Sequence, residues 1–207
     1  MGTQERRSRE KQELRQRIQE AATELFVLDG YQNVSIRKIA DRIEYAPSTI
    51  YLYFKDKEEL VHSICNDMFA ELSEILIGIR LQDLAPQQKM AKCLRAYIEF
   101  GLAHPNHYVV TFCTPELQYM HQQPKADHEA IMSAGLECFD LLRQGLQEAL
   151  NSDSIRAINI EVTSQTVWAQ IHGLTSLLVS MQSFPWQDRE LLIQDLVDNI
   201  LRSLAKN

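Results

Sequence analysis

The chain is poor in the residues from which catalytic loops are built. Seven glycines and six prolines are spread over 207 residues, with no G-x-S-x-G elbow, no glycine-rich phosphate loop and no H-E-x-x-H pair. These absences argue against an enzyme. The four cysteines, Cys65, Cys93, Cys113 and Cys138, stand at least 20 residues apart and form no C-x-x-C pair, which gives no support to a zinc ribbon or a thioredoxin-like motif. They are expected as reduced, small core residues. No run of about 18 apolar residues is present to span a membrane, and residues 1–20 are charged throughout, without the apolar centre of a signal peptide. A cytoplasmic protein with no membrane partner is expected. An excess of positive charge is also lacking: 21 Lys and Arg against 28 Asp and Glu leave −7, the reverse of the usual footprint of a polyanion-binding protein.

Position changes that last inference. Residues 1–60 hold 11 basic and 11 acidic side chains, whereas residues 61–207 hold 10 and 17. The whole acidity therefore lies in the last two thirds. Residues 1–17 hold six basic side chains (Arg6, Arg7, Arg9, Lys11, Arg15 and Arg17) against three acidic ones, a basic arm suited to phosphate or minor-groove contacts.

What the sequence has in quantity is helical periodicity. Apolar positions at Leu14, Ile18, Ala21, Ala22, Leu25 and Phe26 predict a helix over 11–28, stopped by Asp29-Gly30 with Gly30 as a left-handed cap. Ser35 caps a helix of two turns over 36–43, with Ile36, Ile39, Ala40 and Ile43 as its seam. Pro47 opens a second short helix, 47–54, and Asp56 caps a longer one that runs from Lys57 through Ile79. Further helices are expected over 86–103, 106–122, 125–151, 158–182 and 187–204, separated at prolines. No run alternates as a strand does. The fold class is all-α, with about nine helices: an N-terminal three-helix helix-turn-helix domain, 1–57, and a C-terminal helical domain, 58–207, for ligand binding and dimerisation.

Two helices of two turns each, joined by a three-residue turn, bury little surface by themselves. They match the width of the DNA major groove, about 12 Å, with the second helix entering and the first crossing the backbone. Ser48, Thr49, Tyr51 and Tyr53 offer hydroxyl groups, and Thr49 also a methyl for thymine; Arg37, Lys38, Lys55 and Lys57 flank them where phosphates run. Ile50 and Phe54 are the expected inward anchors.

The run from Gly30 to Ile43, followed by Ser48-Thr49-Ile50-Tyr51-Leu52-Tyr53-Phe54-Lys55-Asp56-Lys57-Glu58-Glu59-Leu60, resembles the DNA-binding domain of the TetR family of transcriptional regulators over residues 12 to about 70. The resemblance implies that Ser35 opens the first helix of the motif, that Tyr51–Phe54 closes the recognition helix and that Lys57 touches a phosphate. Two departures stand out. Glu44 occupies a place usually held by Gly, at a cost of about 1 kcal/mol in a left-handed turn. Ala46 replaces the usual Ser or Thr cap, which Pro47 offsets in part by fixing the first turn. A second resemblance, carried by Trp168, His172 and Gly173 together with Tyr97, Phe100, His104-Pro105 and Tyr108–Phe112, is to the WHG-type ligand-binding domain of one TetR subgroup.

The helix over 158–182 is apolar on more than one side. The helix over 187–204 spreads Leu192, Ile193, Leu196, Val197, Ile200, Leu201 and Leu204 over about half its circumference, wider than one packing face needs. Both are expected to form a homodimer interface with two-fold symmetry, which suits a palindromic operator on double-stranded DNA. By resemblance the residues between hold an unidentified small-molecule effector that is partly apolar and releases the repressor from DNA. Candidate lining residues are Tyr97, Phe100, Tyr108, Phe112, Phe139, Trp168, Ile171 and His172, with Met68, Leu72, Tyr119 and Met120 beside them. Trp168 and His172, one turn apart, share a face and need hydrogen-bond partners if buried.

No cofactor and no metal is expected. His104, His107, Cys113, His121 and His128 fall within 25 residues but straddle Pro105 and lack a carboxylate cluster. A helical small-molecule carrier, or a metal- or redox-responsive sensor without operator selectivity, is the alternative reading. DNA binding that falls with salt separates the two.

Overall fold

The computed structural model describes residues 2–114 and 126–206, leaving out the side chains of Thr3 and of 126–132. Among the described residues there are nine α-helices: α1 Thr3–Asp29, α2 Ile36–Arg42, α3 Pro47–Ile50, α4 Lys57–Arg80, α5 Pro86–Ala103, α6 Pro105–Cys113, α7 Ala126–Asn151, α8 Ile160–Ser180 and α9 Arg189–Leu204. The described residues contain no strand. The all-α fold is that expected.

The chain parts into two compact units, 1–67 with 106–131, and 68–105 with 132–207. The expected boundary after Lys57 falls ten residues before the structural one, inside α4.

In the first unit α1 buries Ile18, Ala22, Leu25 and Phe26 against α2 and the short 3-10 turn Tyr31–Asn33. The helix is longer than its apolar periodicity implies, and the basic arm is its helical start rather than an extended tail. Glu5 Oε2 accepts the Gly2 N–H at 2.9 Å and closes its first turn. Gly30 does have positive φ (79°), but its ψ of 146° is extended rather than left-handed helical; its N–H still reaches Phe26 O at 3.1 Å. Such a backbone turns the chain sharply into the 3-10 turn, where Asn33 Nδ2 donates to Asp29 O at 2.8 Å. α4 is held to α1 by Arg15, which reaches Asp67 at 2.9 Å, and by Gln19, which donates to Ser63 Oγ at 2.8 Å.

In the second unit α5 packs on α8 and α9, burying Leu94 and Ile98 against Val167, Ile171, Ile193 and Val197. Arg95 ties α5 to the start of α9 through Glu190 (2.5 Å) and Gln194 (2.6 Å). Arg80 joins α4 to α7, donating to Leu141 O at 2.9 Å and to Glu148 at 2.5 Å. The same two helices approach closely at Gly135, where a Cβ would stand 3.2 Å from the Phe69 ring. No helix among the described residues is long and apolar enough to cross a membrane.

Candidate nucleic-acid interface and effector site

In the first unit α2 begins where Ser35 Oγ accepts the Lys38 N–H at 3.2 Å, the expected cap. The turn to α3 passes through Glu44 at φ 62°, so the expected left-handed strain at this non-glycine residue is present. Ala46 gives no side-chain cap to α3, and Pro47 takes the first helical position. The α-helical part of the second motif helix is one turn, Pro47–Ile50, shorter than the expected 47–54. Tyr51–Tyr53 continue it as a turn in which Tyr53 N–H and Phe54 N–H both bond Ile50 O, at 2.9 and 3.0 Å. With no capping side chain the helix has few residues to propagate along, and the burial of Phe54 closes it.

This geometry separates two sets of side chains. Ile50 and Phe54 are fully buried, and Arg15 lies over the Phe54 ring at 5.5 Å. Ser48 and Tyr51 face solvent, and Thr49 and Tyr53 are half-buried at the rim. Arg37 is exposed and makes no ion pair among the described residues; Lys38 is exposed but pairs with Asp29 at 3.0 Å. Lys55 is exposed, its N–H donating to Glu59 Oε2 at 2.5 Å, and Asp56 caps α4 through the Glu59 N–H at 2.8 Å.

Lys57 departs from the role its position implied. Its Nζ donates to Tyr31 O at 2.7 Å and Val34 O at 2.8 Å and sits 4.0 Å from the centre of the Tyr31 ring. Burial holds this ammonium below its ordinary pKa. Burial and the nearby Glu58 and Asp56 carboxylates push the Tyr31 hydroxyl up to about 12, so the ring stays neutral beneath the cation. Here Lys57 fixes the turn leading into α2 instead of offering its charge outward.

In the second unit three of the expected effector residues form one network. Trp168 Nε1 donates to Tyr97 Oη at 3.3 Å, which leaves the hydroxyl proton of Tyr97 for His172 Nδ1 at 3.1 Å. The Trp168 and His172 rings lie 5.3 Å apart, and Phe139 meets Trp168 edge-on at 6.0 Å. Burial lowers the His172 pKa, in keeping with a neutral ring that accepts at Nδ1. Tyr97 is buried, but Trp168 is 38% exposed, so the network is open on the indole side. The remaining candidates lie outside this network. Phe100 packs on His104 at 4.7 Å, and Ile171 is core. Tyr108 and Phe112 belong to the first unit and stack on each other at 4.9 Å. Met68 and Leu72 are buried; Tyr119 and Met120 lie outside the described residues.

The described residues contain no group of three or more His, Cys, Asp or Glu fit for a metal; His121 and the His128 side chain lie outside them. Burial pushes the Cys65 thiol up to about 11 and raises Cys93 and Cys138, the opposite of what a redox-reactive thiolate needs.

On the outer faces, Leu177, Met181 and Phe184 around the end of α8, and Leu191 on α9, are exposed. Leu192, Leu196 and Leu201 are half-buried, while Ile193, Val197, Ile200 and Leu204 point into the unit. Near the α8–α9 junction a cavity of about 470 Å³ is lined by Leu102, Leu178, Phe184, Trp186 and Arg189 among others.

Two family models match the chain. Residues 18–64 match the family described as bacterial regulatory proteins, tetR family, and residues 90–203 match the tetracyclin repressor-like C-terminal domain. The second match covers the C-terminal half, where Trp168, His172 and Gly173 lie. The fatty acid metabolism regulator protein of Bacillus subtilis is 23% identical over 155 residues, covering 74% of this chain and 77% of its own. Among solved structures, a tetR-family regulatory protein from Rhodococcus RHA1 superimposes with a TM-score of 0.76 at 19% identity, covering 93% of this chain and 97% of that one. The transcriptional regulator FadR from Bacillus subtilis, solved in complex with stearoyl-CoA, gives 0.74 at 21% identity, with 91% and 98% covered. The chain thus belongs to the TetR family, as a DNA-binding, ligand-responsive transcriptional regulator and not an enzyme.

Proposed function

We propose that the protein is a cytoplasmic repressor that binds a palindromic operator as a homodimer and leaves it when a partly apolar effector binds. The observation that carries this reading is the sorting of α3. Ile50 and Phe54 are buried beneath the segment, while Ser48 and Tyr51 face solvent and Thr49 and Tyr53 stand half-buried at its rim, with Arg37 and Lys55 exposed on either side in sequence. Residues 1–57 are the reading domain in this account, with Ser35, Ala46 and Pro47 setting the geometry and Lys38 adding charge. Residues 58–207 bind the effector and pair the subunits. Lys57 serves from within, by holding the turn before α2.

The exposed Leu177, Met181, Phe184 and Leu191 support pairing through α8 and α9, because a partner would take large apolar side chains on and between these helices out of water. The effector reading rests on Tyr97, Phe139, Trp168 and His172: three aromatic walls and a hydrogen-bonding centre that a ligand bearing both apolar and polar groups can enter. The fatty acid regulators among the relatives make fatty acyl thioesters the first probes. The effector weakens DNA binding by no more than its difference in affinity between the two states of the dimer. The test is selection of bound fragments from genomic DNA, followed by gel-shift titration of the selected site with acyl-CoAs of graded chain length. Recovery of one palindromic site, released by at least one chain length, supports the reading. Binding that is absent or insensitive to salt refutes it and favours a carrier.

A further inference from the structure

Residues 4–13 of α1 are exposed on every side, although a free helix of this length is marginal in water. Its charges are not evenly spread. At about 100° per residue, the line that buries Ile18 and Leu25 runs back towards the helix start through Lys11 and Arg7, each about 20° from Ile18. Leu14, about 40° off that line, is the apolar residue nearest the helix start among the described residues. Glu5, Glu10 and Glu13 all stand about 80° or more away. Thus the core-facing register continues past the edge of the domain, but with cations where apolar residues stood.

The neighbours of α1 at that edge are the two ends of the recognition segment. Arg17 lies over the Tyr45 ring at 5.6 Å, and Arg15 lies over Phe54 at 5.5 Å. Beyond them the cationic line extends about 12 Å from Arg15 to Arg7 at 1.5 Å per residue. Arg6 is on another face and pairs with Glu10 at 3.4 Å, and Arg15 is spent on Asp67. Arg7 and Lys11 make no ion pair among the described residues.

We propose that α1 is a rigid helical spur whose underside, through Arg7 and Lys11, docks on the DNA phosphate backbone flanking each half-site. The proposal rests on the DNA-binding reading and makes it specific: the spur reads charge and not sequence, so it strengthens operator and random duplex alike. Each neutralised phosphate contributes about −0.9 to the slope of log affinity against log salt.

The test uses the full chain with two charge-matched double variants, Arg7→Gln/Lys11→Gln and Arg6→Gln/Arg9→Gln, titrated on the selected operator and on random duplex from 50 to 200 mM salt, with circular dichroism to check helix content. The first variant is expected to flatten the slope by about 1.8 per bound protomer, about a tenfold smaller loss across that range, equally on both DNAs. The second changes Arg6, already paired with Glu10, and Arg9, about 180° round the helix from Ile18, so the face assignment takes both out of the arm's phosphate contacts and the parent slope is expected to hold. Equal flattening by both overturns the proposal in favour of diffuse charge, and flattening by neither shows the spur away from DNA. A parent chain that binds no duplex at all overturns the DNA-binding reading itself, a distinct result.

Discussion

Lys57→Met is the sharpest test of how the reading domain is held together. The ammonium donates to two main-chain carbonyls, Tyr31 O and Val34 O, and rests on the Tyr31 ring. A hydrogen bond to a charged donor contributes about 1.5–3 kcal/mol and a cation over an aromatic face about 0.5–1 kcal/mol. The downward shift of the Lys57 pKa shows that burial opposes the charge, and the two bonds share one donor group, so the three gains do not add. A loss of about 2–3 kcal/mol follows, most of it from two carbonyls left without a donor. In a chain of this size that lowers the melting temperature by about 5–10 °C, with the first unit opening earliest. The assay pairs denaturant unfolding with the salt dependence of binding to random duplex, and Arg37→Gln is the counterpart. Lys57→Met is expected to destabilise while leaving the salt slope of the folded protein in place. Arg37→Gln should leave stability within about 0.5 kcal/mol and flatten the slope by about 0.9. If Lys57→Met unfolds at the parent midpoint and flattens the slope, the inward role is wrong and Lys57 meets a phosphate.

Four other outcomes are expected. Tyr97→Phe leaves Trp168 Nε1 and His172 Nδ1 without the hydroxyl that links them, at a cost of about 1–2 kcal/mol, and alters acyl-CoA release from the operator; calorimetric unfolding and gel shift measure the two effects. Burial holds the His172 pKa below the ordinary 6.5, so its contribution is complete above 6.5 and is lost as pH falls through the lower folded value; NMR titration of its ring protons reads this directly. Glu44→Gly removes the left-handed strain at φ 62° and stabilises by about 0.5–1 kcal/mol, seen as a small rise in melting temperature. Leu177→Glu with Leu191→Glu places two charges on the exposed α8–α9 face; sedimentation should show monomers, and a dimer that persists would move the interface elsewhere.

Some of this was legible in the sequence for a definite reason. Apolar spacing reports which face of a helix is buried, and that alone places Ile50 and Phe54 inward and brings Trp168 and His172 onto one side of α8. The same signal is blind where a helix has no buried face. α1 therefore began at Lys11 in the reading of apolar periodicity, although the chain is helical from Thr3. It is blind again to partners distant in sequence. Tyr97 was a candidate for its ring, but its hydroxyl joins Trp168 to His172 across about 70 residues, and no local pattern carries that information. Lys57 was assigned outward because its place in the motif suggested a phosphate. Its actual acceptors are two carbonyls in a turn 23 and 26 residues earlier, exposed to it only when α1 and α4 have packed.

The charge balance shows how far the deficit of positive residues misleads as an average. Of the 11 basic side chains in residues 1–60, Arg6, Arg15, Lys38, Arg42 and Lys57 are engaged with carbonyls or carboxylates of the protein itself. That leaves a short list to meet a phosphate backbone, in which Arg37 flanks α3 while Arg7 and Lys11 lie on the underside of α1. A reading domain with as many acidic as basic side chains gains affinity for DNA mainly by placing its cations in register on a helical support and by doubling them through two-fold symmetry. The long, exposed start of α1 makes physical sense on those terms. A flexible arm of the same composition would lose conformational entropy on every contact, whereas two cations fixed about 6 Å apart along a helix lose only side-chain freedom.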